Sequence, residues 1–395
     1  MGIINRCVMM GRASYLNLIT VFFSSLVTAV LCLSICTHSY DDQKPGYTKE
    51  NNLSTIGCIL PLSGRYTDLG KRALRGVLTA TDVFDTDGFR IVVSDIGEGN
   101  VTRLQGALEE MVLKDGVLVV VGPIPSGYIS MLDTTLKSLQ VPTVIFPLSE
   151  EVSVKNPYII RFSYPIEKQA SVLAQYAVHD VRVRTFGVLY PKTSIGEYLK
   201  DAFVESVKIE GGSVTYTGSY DLDLSNLDYE LEWVKTLKPE ALFIPDVATR
   251  SAAIISKLKE QIRAESFLFL GPSTWHSKPF IDSVGDAMDG VVFKVVFTDF
   301  FSPDSLRWIS FVSRFKTLFD EEPGSLEYQI YEGVRLIINI VEANQLHRRE
   351  DLIKRLLVLG EDFLFKVERK ADDGVYVYPR PFILTLKNGQ VVGVK

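Results

Sequence analysis

From Ser54 onward the chain alternates between short β-branched or aliphatic runs and amphipathic stretches of about 10–18 residues. Such alternation predicts βαβ units and a parallel sheet covered by helices. In a first set the strand-like runs are 55–60, 90–94, 117–121 and 143–146, with helical patterns between them at 69–84, 101–113 and 127–139. A second set has strand-like runs at 186–190, 213–217, 241–244, 267–270 and 291–296, and helical patterns at 167–179, 196–210, 226–237 and 249–262. Beyond Pro303 the pattern predicts helices at 305–319, 326–344 and 351–359, then strands at 374–378, 382–386 and 391–394. Lys387-Asn388-Gly389 joins the last two strands as a hairpin, because Asn-Gly accepts positive φ.

The two sets read as weak repeats. Ile56-Gly57-Cys58-Ile59-Leu60-Pro61 resembles Phe186-Gly187-Val188-Leu189-Tyr190-Pro191, each a strand running into a Pro-containing loop before a helix. The fold class expected is α/β, with two doubly wound Rossmann-like lobes and a central cleft, since open α/β sheets bind ligands beyond the carboxyl ends of their strands. The expected organisation is a leader at 1–36, a polar linker at 37–53, lobe 1 at 54–163 and lobe 2 at 164–296. Helices returning to lobe 1 follow at 297–360, and C-terminal strands assigned to lobe 2 at 361–395.

The leader stands apart. Arg6 and Arg12 are the only charges before Asp41, and an uncharged apolar run of 21 residues extends from Leu16 to Cys36. Two positives followed by such a run read as a signal peptide or a single membrane anchor. Leu33-Ser34-Ile35-Cys36 weakly resembles a bacterial lipoprotein box, which offers Cys36 as a lipidation site. All three readings place the body outside the cytoplasm, in the periplasm or its equivalent, with membrane contact through the N-terminal segment.

Composition sharpens this picture. The 395 residues carry a net charge of -6, and without Arg6 and Arg12 the balance is 48 acidic against 40 basic residues. An acidic chain argues against a nucleic-acid partner. The slightly positive mean hydropathy of +0.14 is partly the leader's doing. Cys58 is the one cysteine of the body and reads as a small core residue. His179, His276 and His347 are scattered without metal-ligand spacing, so no metal or cofactor is expected. No Gly-x-Ser-x-Gly elbow, P-loop or Gly-x-Gly-x-x-Gly motif appears, and the expectation is a protein that is not an enzyme.

Candidate chemistry sits in three strand-end loops: Pro61-Leu62-Ser63-Gly64-Arg65-Tyr66-Thr67-Asp68-Leu69-Gly70, Val121-Gly122-Pro123-Ile124-Pro125-Ser126-Gly127, and Gly271-Pro272-Ser273-Thr274-Trp275. Ser126 opens a helical pattern, and a helix N-terminus with a Ser hydroxyl suits an anion as well as simple capping.

The segment 56–80 resembles the opening strand, loop and helix of type I periplasmic solute-binding proteins of the branched-chain amino-acid (leucine/isoleucine/valine) class. Val119-Val120-Val121-Gly122-Pro123 with Ser126 resembles that family's carboxylate-binding turn, and Asn156-Pro157-Tyr158 onward its crossover between lobes. Asp289-Gly290, Glu321-Glu322-Pro323 and Tyr331-Glu332-Gly333 resemble its later signatures, so that the likeness spans about residues 55–344. The resemblance implies two lobes closing on a small-molecule ligand, with three hinge crossings, for delivery to the permease subunits of an ABC importer. It implies that Ser126, beside Gly127, meets a ligand carboxylate and that Leu148, Ser149, Glu150, Leu69 and Ser273 fall at the site; beside these, the residues themselves offer Tyr66, Tyr190 and Trp275 as aromatic walls, and Asp246. Ser273 stands where amino-acid binders place an acid for the ligand ammonium, and Asp246 is offered as its replacement. Ile195 stands where an aromatic wall is usual. Glu150 would set a second carboxylate beside the ligand's own, and two like charges at about 4 Å repel by about 4 kcal/mol at an effective dielectric of 20. These departures keep a second function open, an envelope lipoprotein of the same fold acting through protein contacts, as a cell-wall synthase activator or a sensor component.

Overall fold

The computed structural model describes residues 54–81, 89–97, 100–124, 126–146, 155–261, 267–285, 293–361, 365–369 and 374–394. The leader, the linker and Cys36 lie outside them. Each apolar run of the first set becomes a strand, and all but the run at 90–94 are buried. β1 (Ser54–Leu60) leads to α1 (Thr67–Thr81), β2 (Phe89–Asp95), α2 (Val101–Leu113), β3 (Val119–Gly122), α3 (Ser126–Leu139), β4 (Thr143–Ile145) and β5 (Ile159–Phe162). The second set gives α4 (Ile166–Gln175), β6 (Thr185–Pro191), α5 (Ser194–Ile209), β7 (Ser213–Tyr220), α6 (Leu227–Leu237), β8 (Ala241–Phe243), α7 (Ala248–Gln261), β9 (Phe267–Gly271), α8 (Lys278–Gly285) and β10 (Phe293–Asp299). Then come α9 (Leu306–Phe319), α10 (Ser325–Asn344), α11 (Arg349–Leu359), β11 (Phe365–Arg369), β12 (Val375–Pro379), β13 (Phe382–Lys387) and β14 (Gln390–Gly393).

The strands form two seven-stranded sheets. The first has the order β11-β12-β5-β4-β3-β1-β2 and the second β14-β13-β10-β9-β8-β6-β7. Pairing is parallel from β12 through β2 and from β10 through β7, while β11, β13 and β14 join antiparallel. Two doubly wound lobes are therefore present. The segment 361–395, expected on lobe 2, divides instead: β11 and β12 extend the first sheet, and only β13 and β14 the second. The Asn388 and Gly389 turn between the last two has φ of 52° and 68°, as the Asn-Gly pair suggested.

Both faces of each sheet are covered. On lobe 1, α1, α10 and α11 bury Val77, Ile330, Val334 and Leu352 against Cys58, Val119 and Phe162, while α2 and α3 cover the other face through Leu108 and Leu132. On lobe 2, α6, α7 and α8 supply Leu231, Ile255 and Phe280 to one face, and α4 and α5 supply Leu173 and Phe203 to the other. Fully buried parallel strands need such two-sided cover, which is why their sequences read as continuous apolar runs.

The sequence repeat has a packing counterpart. A Cβ on Gly70, in the first turn of α1, would lie 2.1 Å from the Pro61 carbonyl oxygen, and one on Gly196, in the first turn of α5, 2.3 Å from that of Pro191. In each lobe the opening helix is pressed onto the end of its own strand, and only glycine allows that approach.

Three described connections pass between the sheets: residues 163–165 after β5, 300–305 after β10, and 380–381 between β12 and β13. They meet at one knot. The Tyr164 hydroxyl pairs with Thr298 Oγ1, and Thr298 Oγ1 donates to the Phe382 carbonyl at 3.0 Å.

Candidate functional site

The crossings leave from the carboxyl ends of β5, β10 and β12, so those ends of both parallel sheets border the inter-lobe space. On lobe 1 they carry residues 61–66 and the start of α3; on lobe 2, residues 192–193, 244–247 and 272–277. The candidate residues fall into these two sets. Tyr66, half-buried, stacks under the Arg65 guanidinium at 4.6 Å, and Leu69 is half-buried in the first turn of α1. Ser126 and Gly127 are the first two residues of α3, after the β3 loop. Their side chains lie outside the described residues, as do Leu148, Ser149 and Glu150.

The first loop is shaped by a residue the sequence reading missed. Asp95, the last residue of β2, accepts hydrogen bonds from the Leu62, Ser63 and Gly97 N–H groups at 2.8, 3.2 and 2.8 Å. Burial raises its pKa, but hydrogen bonds from Gly97, Ser63 and Leu62, together with the Arg103 charge, outweigh it and hold the carboxyl below its usual range. An Asp closing a strand beside a Gly-containing loop was the available signal.

On lobe 2, Tyr190 is half-buried beneath Lys200, whose Nζ stands 5.6 Å from the ring centre. Asp246 is buried, and its carboxylate is occupied. Arg250 donates to both oxygens at 2.6 Å, Tyr220 donates at 2.7 Å, and the Val247 N–H donates at 2.7 Å. The counter-charge offered for a ligand ammonium is thus already matched by a guanidinium of the same chain. Trp275 departs from its expected place too. It is fully buried, folded back over Gly271 and stacked on Phe280 at 4.6 Å, so it packs the core and does not wall the cleft. Ser273 is half-buried, and its N–H donates to Gln169 Oε1 at 2.9 Å. Ile195, by contrast, is 63% exposed, and Tyr198 beside it 48%, on the first turn and a half of α5.

His276 lies at the end of this loop, and the sequence shows no metal-ligand spacing around it. Its Nδ1 lies 2.7 Å from Asp299 Oδ2, a partner 23 residues away in sequence and therefore invisible to local spacing. Burial raises the Asp299 pKa, against the lowering influence of His276. His179 pairs similarly with Glu210 at 2.6 Å, but on the surface.

Neither of two described cavities is lined by these candidates. One, of about 620 Å³, lies beside the third crossing between α4 and the β11–β12 pair; the other, of about 590 Å³, lies by Ser54 and Arg349. Among the described residues no cluster of His, Cys, Asp or Glu is placed to hold a metal ion, and no helix is long and apolar enough to cross a membrane.

Comparison with known proteins agrees with this geometry. The family model described as periplasmic binding protein matches residues 54–375. A Leu/Ile/Val-binding protein homolog 3 of Brucella melitensis is 24% identical over 166 residues, 40% of this chain; the match spans 44% of that relative, less than half its length. A Leu/Ile/Val-binding protein homolog 6 of Brucella abortus is 20% identical over 298 residues, covering 73% of this chain and 75% of the relative. The crystal structure of a branched chain amino acid ABC transporter periplasmic ligand-binding protein from Burkholderia xenovorans superposes with a TM-score of 0.66 at 15% identity, over 87% of this chain and 94% of that one, a likeness of fold.

Proposed function

Because the chain belongs to the periplasmic binding protein family, we propose that it is an extracytoplasmic solute-binding protein that closes its two lobes on a small carboxylate-bearing metabolite for the permease subunits of an ABC importer. The observation that carries the reading is the pair of doubly wound sheets turning their strand ends to one inter-lobe space, joined by three short crossings. Such crossings let two rigid bodies rotate while each core stays packed. In this reading the N–H groups of the α3 N-terminus, which begins at Ser126, meet the carboxylate. In the same reading Tyr66, Leu69, Tyr190 and Ser273 border the ligand; Leu148, Ser149 and Glu150, which the sequence also offers, lie outside the described residues.

Asp246 bears on the ligand class. With its charge matched by Arg250, it has no surplus for an ammonium, which favours an acid without a free amino group over a leucine-like amino acid. The same reading puts the protein's working site outside the cytoplasm, in the periplasm or its equivalent. Thermal stability measured against a panel of carboxylates and amino acids tests the proposal. A rise with some acids, lost in Ser126→Ala, is the expected result. A panel without a single stabilising member, with native mass spectrometry showing no co-purified ligand, would remove it.

A second reading has one observation in its favour. Tyr229, Trp233 and Leu237 repeat every fourth residue along α6 and are 65%, 44% and 43% exposed. An exposed apolar row suits a protein partner, and an envelope interaction protein of this fold would be recovered with a cell-wall synthase instead of permease subunits.

A further inference from the structure

We propose that His276 is a positioning residue that couples the ligand-side loop after β9 to the inter-lobe hinge through its hydrogen bond to Asp299. The inference rests on the solute-binding reading only in taking that loop to face the ligand.

Asp299 is the last residue of β10, and the second crossing starts at the next one. Its Oδ2 meets His276 Nδ1 at 2.7 Å, while its Oδ1 accepts from the Phe300 N–H at 2.7 Å. One carboxylate thus fixes both the end of the loop and the first amide of the crossing. Thr298, one residue earlier, ties the first and third crossings together through Tyr164 and Phe382. Residues 298 and 299 are where the three crossings and the loop converge.

The loop is held equally firmly at its other end. The Ser273 N–H is bonded to Gln169, the Thr274 hydroxyl donates to the Asp246 carbonyl at 2.8 Å, and Trp275 is buried. Between these anchors and His276 lie only a few residues, so a displacement at Ser273 has little slack to absorb it. The imidazole also packs across the boundary. It lies 4.6 Å from Phe301, which stacks on Trp308 at 4.1 Å and meets Tyr328 edge-on at 5.6 Å. Trp308 and Tyr328 belong to α9 and α10, on the lobe 1 side. An apolar ring would fill the same space without the cost of burying a polar pair. The hydrogen bond adds direction, fixing the loop to one point of the crossing.

Contact along a path is not coupling, which a mutant cycle measures. The test uses hydrogen exchange of the full chain, read by mass spectrometry, and needs no ligand, so it stands or falls apart from the solute-binding reading. Gln169→Ala perturbs the loop by removing the acceptor of the Ser273 N–H. In the wild-type background it should raise exchange across residues 300–305 at least about twofold, the lower end of couplings between connected residues. In His276→Phe, which keeps the ring and loses the donor, the same substitution should leave those residues unchanged relative to His276→Phe alone. His276→Asn, which restores an N–H at the δ position, should restore the response. An equal rise in the His276→Phe background, or no restoration by His276→Asn, would overturn the proposal. No rise in the wild-type background would overturn it even if His276→Phe failed to fold.

Discussion

Arg250 grips the Asp246 carboxylate at both oxygens, Nε to Oδ2 and Nη2 to Oδ1 each at 2.6 Å, across the first turn of α7. The Asp246 side chain is 3% exposed and that of Arg250 28%. Removing the guanidinium leaves a buried carboxylate with only the Tyr220 hydroxyl and one backbone N–H. Arg250→Met should therefore cost about 2–4 kcal/mol, read by denaturant unfolding. Asp246→Asn added to it should recover much of the loss, because the buried charge goes with its partner. If the single and double variants are equally destabilised, the loss comes from packing of the arginine stem and not from the uncompensated charge.

A second bidentate pair joins α1 to α10. Arg72 donates to Glu327 at 2.6 and 2.8 Å, and Glu327 also accepts from the Gly324 N–H at 3.1 Å. Burial pushes the Glu327 pKa up, but the Arg72 hydrogen bond and charge outweigh it and the net shift is downward. A depressed carboxylate stabilises the fold above its unfolded value, about 4.3, and that stability is lost as pH falls through the folded value. Arg72 is about one-third exposed, so the loss in Arg72→Met should stay near about 1–2 kcal/mol at pH 7. The gap between the variant and the wild type should narrow as pH falls below about 4. A gap independent of pH would assign the effect to packing.

The strands' positions along the chain were legible wherever apolar runs were bounded by Pro or Gly, and those runs gave both lobes. Three elements escaped for identifiable reasons. β5 has four residues and places Arg161, 2% exposed, inside the sheet against the Tyr376 ring at 4.9 Å, a charge that breaks an apolar pattern. β11 alternates with charges, Phe-Lys-Val-Glu-Arg, and is an edge strand, where such charges are at home. α8 has eight residues, too few for helical periodicity to declare itself. Sheet membership of the C-terminal strands was illegible because 380–381 crosses between lobes in two residues. At the site, the loops were found from their Gly, Pro and Ser content. The Asp246–Arg250 and His276–Asp299 pairs were not, since each depends on where a strand ends in space.

Cys58 should be chemically silent. It lies in the middle of β1 with no exposure, and burial pushes its thiol up to about 12. At pH 8 the reactive thiolate is then on the order of one part in ten thousand. Iodoacetamide followed by peptide mapping should leave the Cys58 peptide unmodified in the native protein and modify it fully in denaturant. Rapid native labelling would mean that the lobe 1 sheet opens locally at its centre.

Glycine substitutions in three helices should separate close approach from helix propensity. A methyl on Gly70 or Gly196 meets a carbonyl oxygen at 2.1 or 2.3 Å, closer than any real contact, and the obstacle is backbone that cannot swing away. Gly70→Ala and Gly196→Ala must lift α1 or α5 off its own strand end, at a cost of about 1–3 kcal/mol each. Both helices start at the inter-lobe space, so the shift also moves Tyr66 and Leu69 on one side, or Ile195 on the other. Ligand affinity should fall together with stability. Gly106, exposed in α2, has nothing within 4 Å of a Cβ position. There the same methyl only restricts the unfolded chain and favours the helix, so Gly106→Ala should stabilise by about 0.5–1 kcal/mol and leave binding untouched. Chemical unfolding of the three variants checks the signs. A neutral Gly70→Ala would mean that α1 sits farther from Pro61 in solution, and the packing parallel between the two lobes would then fail at its first member.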